Sequence, residues 1–417
     1  MTARVSWDEG TRRAVRAGRL AVDGGDAVRT TPMPTWPHFD DADLESARAV
    51  LASGRVNYWT GEHGRAFEAE FAAAVGTTHA VVVANGTVAL ELALRALGVT
   101  AGAEVVVPAA TFIATASAVV ACGARPVVAD VDLTTGCVTA DTVAAVLTDR
   151  TVAVVVVHLA GHPVDLHDVL VLARSRGVYV VEDCAQAHGA RYRGRPVGGL
   201  GDIAAWSFCQ DKILSTAGEG GAITTSDHGL WLRCWEAKDH GKNWSAVHLR
   251  LPSPGFRWLH DSFGTNARMT EVQAAIGRNQ LRGLDGWVRR RRANARVLLD
   301  ALRSEPAVRL VEPAADVEHA YYRFLAYLRP ERLAPGWDRD RVVRAVQAEG
   351  VPCLHGGCME IYRERAFDDV PGRPTDLPVA AELGRTAFVL LVHPTLTEPD
   401  MADTAAAVSK VLAEATA

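Results

Sequence analysis

Of the 44 basic residues in this sequence only four are lysines, at positions 212, 238, 242 and 410. Lys212 lies in an otherwise apolar, glycine-rich run from Ile203 to Gly221, which reads as a strand, a turn that carries the lysine, and a glycine loop. An arginine could supply charge at such a turn, but it stays protonated; a lysine amine in a partly dry site can lose its proton and attack a carbonyl carbon. The competing interpretation is a lysine snorkelling from a strand end.

Other residues of suitable type recur at strand ends. Asn85-Gly86-Thr87 leads from a strand into a helix, where the glycine admits close approach and the free amides of the first turn, with the Thr87 hydroxyl, can bind a phosphate; the same three residues also make a serviceable turn and N-cap. Ser207 is spaced to add a hydroxyl to that cup. Asp183 ends the apolar run Val178 to Asp183, where a carboxylate is costly without a cation; a protonated pyridine nitrogen would supply one, and a helix N-cap is the alternative. Phe112 can cover an aromatic ring or simply pack, and Gln186 and His188 can reach a ring oxygen or cap local backbone. Phosphate cup, ring cover, carboxylate and lysine together describe a site for pyridoxal 5'-phosphate (PLP), which alternates with its aminated form. A nicotinamide site is disfavoured, because no Gly-x-Gly-x-x-Gly follows the first strand, and Gly198-Gly-Leu-Gly201 precedes a strand instead.

These residues need a frame. Short Val, Ile and Ala runs alternate with helical patterns between residues 80 and 226, as in a parallel sheet covered on both faces. Strands are expected at 80–84, 104–107, 126–130, 152–158, 178–183, 203–208 and 221–225. Helices are expected at 86–97, 114–122, 140–147 and 166–176, the last ending before Gly177. The fold class is therefore α/β, with a seven-stranded, mostly parallel sheet between helices. Two helices, 270–281 and 287–302, are expected to bridge to a smaller C-terminal α+β domain with strands at 322–328 and 388–392 and helices at 339–349 and 400–414. The expected division is an arm over 1–30, a large domain over 31–270, and bridging helices with the small domain over 271–417. In an open parallel sheet ligands bind beyond the carboxyl ends of the strands, so Asn85, Thr111, His158, Asp183 and Lys212 should share one rim.

Composition narrows the class. A net charge of −5, with 48% hydrophobic and 22% charged residues, describes a soluble globular chain and argues against a nucleic-acid partner. The Arg289 to Arg292 cluster reads as a solvated helix face or subunit contact. No stretch has the apolar length of a membrane span or a signal peptide. Seven unpatterned cysteines suit a reducing cytoplasm. Cys353 and Cys358 have no second ligand pair, so no metal is expected.

The combination resembles the DegT/DnrJ/StrS-type sugar aminotransferases, PLP enzymes of fold-type I. The likeness rests on Thr60-Gly61, Asn85-Gly86-Thr87, Thr111-Phe112, Glu182 to Gly189, Ser207 through Lys212 to Gly221, and Gly264 to Met269 with Gln273 to Ala275. It continues more weakly in His319 to Tyr322, Pro378 to Glu382 and Pro394 to Thr397. The resemblance implies that Lys212 holds the cofactor covalently and that Asp183 holds its ring nitrogen. Gly86, Thr87 and Ser207 would bind the phosphate, Phe112 would stack on the ring and Gln186 would approach its oxygen. Asn266 would reach the phosphate of a neighbouring subunit, making a homodimer with shared active sites.

Family members transfer an amino group, usually from glutamate, to a keto carbon of a nucleotide-activated deoxysugar; a dTDP-4-keto-6-deoxyhexose destined for an antibiotic or surface sugar is the expectation. Cyclitol or aminobenzoate chemistry and a PLP-binding protein without turnover are the alternatives. A dehydrating subgroup replaces the lysine with histidine, so Lys212 favours transamination. Thr60, His158, Arg268, His319 and Tyr321 are candidate contacts for donor or acceptor, Arg268 serving either the donor carboxylate or a subunit interface. The loop from Val351 to Tyr362 departs from the family pattern, in which many relatives carry a different histidine-containing loop over the substrate.

Overall fold

The computed structural model describes residues 18–249 and 257–416; residues 1–17, with the start of the expected arm, lie outside the described residues. Its central sheet contains β1 (His79–Val83), β2 (Glu104–Pro108), β3 (Arg125–Ala129), β4 (Thr151–Val157), β5 (Tyr179–Asp183), β6 (Ile203–Ser207) and β7 (Gly221–Thr225). Their order is β1-β7-β6-β5-β4-β2-β3. The strands from β6 to β3 are mutually parallel, while β7 lies antiparallel between β1 and β6. Every residue of β2, β6 and β7 is buried, as continuous apolar runs require when helices cover both faces. Each fully buried valine in this core contributes about 1.5–3 kcal/mol relative to exposure.

Register brings the chemistry to one rim. Asp183 pairs with Val157 on one side and Ala205 on the other, and Gly221 pairs with both Ser207 and Val83. The helix Gly86–Ala96 starts at this rim, with Asn85 as N-cap accepting from the Val88 N–H at 3.0 Å. The helix Leu166–Arg176 ends on Gly177, whose φ of 64° provides the left-handed cap expected there.

The two expected bridging helices form one helix, Glu271–Leu302, opened by a capping box between Thr270 and Gln273. Gly283 and Gly286 do not break it. The helix buries Ala274, Ile276, Leu284, Val288, Ala295 and Leu298, and the Trp287 ring fills the space beside Gly283, so tertiary packing outweighs the glycines' low helix propensity. Beyond it, β8 (Val308–Leu310), β9 (Phe324–Leu328), β10 (Cys353–His355) and β11 (Ala387–Leu390) form an antiparallel sheet in the order β8-β9-β11-β10. Helices Arg339–Ala348 and Glu398–Ala415 pack with this sheet in a second core. Leu20 enters that core. Residues 21–29 are tied there by Glu349, which accepts from the Ala21 and Val28 amides, and by the Arg29 ion pair with Asp400. Among the described residues no helix is long and apolar enough to cross a membrane.

Candidate active site

A cavity of about 780 Å³ opens at the rim, between the carboxyl ends of the central strands and the second sheet. Asn85, Gly86, Thr87, Phe112, Asp183, Gln186, Ser207 and Lys212 all line it, so the fold brings together residues scattered over the sequence from 85 to 212.

Each wall has a local cause. At the start of the helix Gly86–Ala96, Asn85 caps the Val88 amide, and among the described residues no protein acceptor takes the Gly86 or Thr87 amides. A Cβ at Gly86 would lie 2.7 Å from the Ser207 Cβ, so only glycine lets this turn approach β6 so closely. The result is an anion cradle of two amides and two hydroxyls.

Asp183 is buried at the end of β5, accepting from Thr115 Oγ1 at 3.0 Å and from the Ala185 amide at 3.1 Å. Burial pushes its pKa up, only partly offset by those hydrogen bonds and by Lys212, and among the described residues it has no ion-pair partner. A protonated ring nitrogen is the counter-charge this carboxyl lacks. Thr115 is in turn bonded to Thr111 at 2.8 Å, a pair that the i,i+4 spacing of two threonines signals.

Lys212 Nζ lies 3.9 Å from Asp211 Oδ1 and 4.9 Å from the centre of the Tyr322 ring. Burial pushes the Asp211 carboxyl up, but Lys212, the Tyr322 hydroxyl and Arg323 outweigh it and hold it below the ordinary range. The donor set therefore fits PLP at its phosphate, ring nitrogen and aldehyde, with the cradle, the counter-charge and the amine facing one space. The Gln186 carbonyl oxygen is committed to the Ala160 amide at 2.7 Å, which steadies a turn where Ala160 has a φ of 55°; only its amide nitrogen remains for the cavity. Phe112 is 67% exposed at the mouth, so this chain alone does not cover it.

Several expected contacts lie elsewhere. His158 is fully buried below the rim, with Nε2 3.1 Å from Glu182 and Nδ1 accepting from the Val164 amide, and it does not reach the cavity. Glu182 also accepts from the amides of Gly198, Leu200 and Gly201, so the glycine-rich turn closes on a carboxylate. His158, Glu182 and Cys184 offer ligand atoms within 4.8 Å of one another, but those four hydrogen bonds occupy the Glu182 carboxylate and burial holds the Cys184 thiol protonated. His188 is buried against Trp206 and Phe208 instead of facing the cavity, and burial lowers its pKa to about 3.

His319 and Tyr321 stack on each other, with centroids 3.9 Å apart, outside the cavity. The cause is Tyr321's left-handed φ of 51°, which breaks the alternation and presents Tyr322 to the cavity instead. Arg268 pairs with Asp239 at 2.5 Å, Asn266 is an exposed residue whose backbone bridges to Asp239, and Thr60 donates to the Asn57 carbonyl; none lines the cavity of its own chain. The arginine cluster is also divided: Arg289 and Arg290 are exposed, whereas Arg291 is buried and Arg292 bonds the carbonyls of Gly189 and His319.

Sequence reasoning missed Thr115, Asp211, Tyr322 and Arg323, whereas the stretch from Leu354 to Cys358, which lines the cavity, lies in the loop singled out from Val351 to Tyr362. Adjacency to the lysine was an available signal for Asp211. Leu325 and Val389 had none, because no local pattern says which strand residues of that sheet face the rim.

Residues 37–409 match the DegT/DnrJ/EryC1/StrS aminotransferase family. The chain is 36% identical to the L-glutamine:2-deoxy-scyllo-inosose aminotransferase of Streptomyces lividus, covering 95% of this chain and 98% of that protein. It is 37% identical to the dTDP-3-amino-3,4,6-trideoxy-alpha-D-glucose transaminase of Streptomyces venezuelae, over 86% and 89% of the two chains. Among solved structures, an aminotransferase from Psychrobacter cryohalolentis superposes with a TM-score of 0.88 at 48% identity, covering 90% of this chain and 98% of that one.

Proposed function

Because the chain belongs to the DegT/DnrJ/EryC1/StrS aminotransferase family, we propose that it moves the amino group of glutamine onto the ketone of a polyhydroxylated cyclohexane ring. It is an aminotransferase and its cofactor is PLP. The cyclitol acceptor and glutamine donor, in place of a nucleotide sugar and glutamate, are supported by the 36% identity to the S. lividus enzyme over nearly the whole of both chains. The cavity supports the same choice. Among the described residues its basic side chains are Lys212, Arg323 and His355, and Arg323 already faces Asp211 at 3.5 Å, so a neutral polyol is matched better than a diphosphate.

When bound, PLP supplies an electron sink for the pair left at the donor's α-carbon. The Gly86 and Thr87 amides with the Thr87 and Ser207 hydroxyls would hold its phosphate, Asp183 its protonated ring nitrogen, and Phe112 one face of its ring. Lys212 Nζ would hold the aldehyde carbon until the donor amine takes its place. The freed Lys212 amine is then the base that removes the donor's α-proton and, in the second half-reaction, delivers a proton to the acceptor carbon that carried the ketone. Leu325, Leu354 and Val389 add apolar wall from the second sheet, which would limit water at these transfers.

The active unit is proposed to be a homodimer with shared sites, an arrangement supported by the exposure of Phe112 and by Asn266 lying outside its own cavity. A nucleotide-sugar acceptor is the second proposal, favoured by the 37% identity to the S. venezuelae transaminase. Incubation with glutamine and either 2-deoxy-scyllo-inosose or dTDP-keto-sugars, with mass detection of the aminated product, decides between them. Amination of only the dTDP-sugars contradicts the cyclitol proposal.

A further inference from the structure

The long helix Glu271–Leu302 buries a cation that the transamination steps do not use. Arg291 is 1% exposed and has no carboxylate partner among the described residues. Its Nη1 donates to the carbonyls of Tyr321 and Tyr322 at 3.3 and 3.2 Å, while Nε and Nη2 have no hydrogen-bond partner among the described residues. Burial, followed by the nearby Arg323, lowers its pKa to about 9. Such a group is expensive, and what it gains is the face of Trp36, whose ring centre lies 5.2 Å from the guanidinium carbon. Trp287 packs edge-on against the same indole at 5.3 Å.

The indole Nε1 of Trp36 donates to the carbonyl oxygen of Lys212 at 2.7 Å. On the other side of the same residue, the Lys212 amide donates to the Cys209 carbonyl at 3.0 Å. Both backbone groups of the reactive lysine are therefore tied, and the tie on its carbonyl comes from a residue 176 positions away.

We propose that Trp36, braced by Arg291, is a positioning residue that fixes the backbone pivot of Lys212, so that its amine swings between cofactor and substrate by side-chain rotation alone. Arginine suits the brace because its delocalised, planar charge can face the indole while a single nitrogen, Nη1, bonds both carbonyls. The inference rests on Lys212 being the cofactor's anchor.

The test compares three variants of the full-length enzyme. Trp36→Phe keeps a ring over Arg291 and deletes the N–H. Trp287→Phe alters the packing but touches neither Lys212 nor the cavity. Arg291→Lys keeps the charge and loses the planar guanidinium over the indole. Apoenzyme is mixed with PLP, and covalent loading is followed by absorbance and by hydride reduction to a labelled Lys212 peptide; kcat and the donor KM are measured in parallel. Loading and kcat are expected to fall about fivefold in Trp36→Phe, the value of one hydrogen bond of about 1 kcal/mol, with donor KM unchanged. Arg291→Lys should fall in the same direction and Trp287→Phe should match wild type. Wild-type loading in Trp36→Phe, or equal losses in Trp36→Phe and Trp287→Phe, overturns the positioning role, and wild-type loading in Arg291→Lys overturns the brace. A wild-type protein that loads elsewhere than Lys212 overturns the anchor and this inference together.

Discussion

The Tyr322 hydroxyl donates to Asp211 Oδ2, tying the residue next to Lys212 to the segment that leads into the second sheet. The same segment is held to the rim by the Ala320 and Arg323 amides, which donate to the carbonyls of Gly161 and Ala160. Tyr322→Phe removes the side-chain tie and keeps the ring beside the lysine amine. We expect kcat to fall about fivefold, as one hydrogen bond implies, with PLP affinity within about twofold of wild type. Steady-state kinetics beside a PLP titration checks this, and an unchanged kcat would show that the tie plays no part in turnover.

Asp183 provides a test whose sign differs between apo and loaded enzyme. Without a cofactor its buried carboxylate lacks a cation, and an asparagine in its place can still accept from the Ala185 amide through its side-chain oxygen while its NH2 donates to Thr115 Oγ1. Asp183→Asn is therefore expected to leave apoenzyme stability equal or up to about 1 kcal/mol higher. In loaded enzyme the lost charged hydrogen bond should weaken PLP binding by roughly 10- to 100-fold. Thermal melts with and without PLP measure both, and a variant destabilised equally in both states would contradict the pairing.

Gly86 is fixed by space. With Ser207 Cβ 2.7 Å from the position of an added Cβ, Gly86→Ala must push the helix start away from β6. The expected cost is about 1–3 kcal/mol of stability, as for other overpacked sites, together with weaker binding of both PLP and inorganic phosphate. Isothermal titration with phosphate isolates the cradle from the ring contacts. Phosphate affinity equal to wild type would contradict its assignment.

Acid sensitivity should trace in part to Glu104 at the start of β2. Burial raises its pKa, but hydrogen bonds from Thr148, Arg125 and Arg150 overcome this and lower it from 4.5 to about 2. A depressed carboxyl stabilises the fold in full above its unfolded value, and that contribution fades as pH falls from 4.5 toward 2. Allowing for solvent around Arg150, the effect is on the order of 2 kcal/mol. Glu104→Gln should lose that much in urea melts at pH 7, and the gap to wild type should narrow at pH 3. A gap that stays constant between the two conditions would contradict the assignment.

Strands were legible because they are apolar on both faces: β5 to β7 end within one residue of their expected positions, and the rim residues follow from strand ends alone. What escaped the sequence depended on long-range packing. Two helices were expected at 270–281 and 287–302, and the flanking apolar faces carry a single helix through the intervening residues. Tyr321 was the expected contact, but its left-handed backbone turns it away in favour of Tyr322, and His158 looked like a rim ligand although its ring turns inward to Glu182. Trp36 carried no local signal, since its partner is a main-chain carbonyl far along the sequence. The Arg289 to Arg292 run gave no hint that its third member is buried, because a helix places consecutive residues about 100° apart.

With only four lysines in the chain, covalent mapping of the cofactor is unusually decisive. Holoenzyme is reduced with borohydride, digested, and the phosphopyridoxyl peptide located by mass spectrometry, with Asp183→Asn as a parallel sample. The structure predicts one label, on Lys212, at a stoichiometry near one per chain and lower at limiting PLP in the variant. Label on Lys238, Lys242 or Lys410, or none at all, would contradict it.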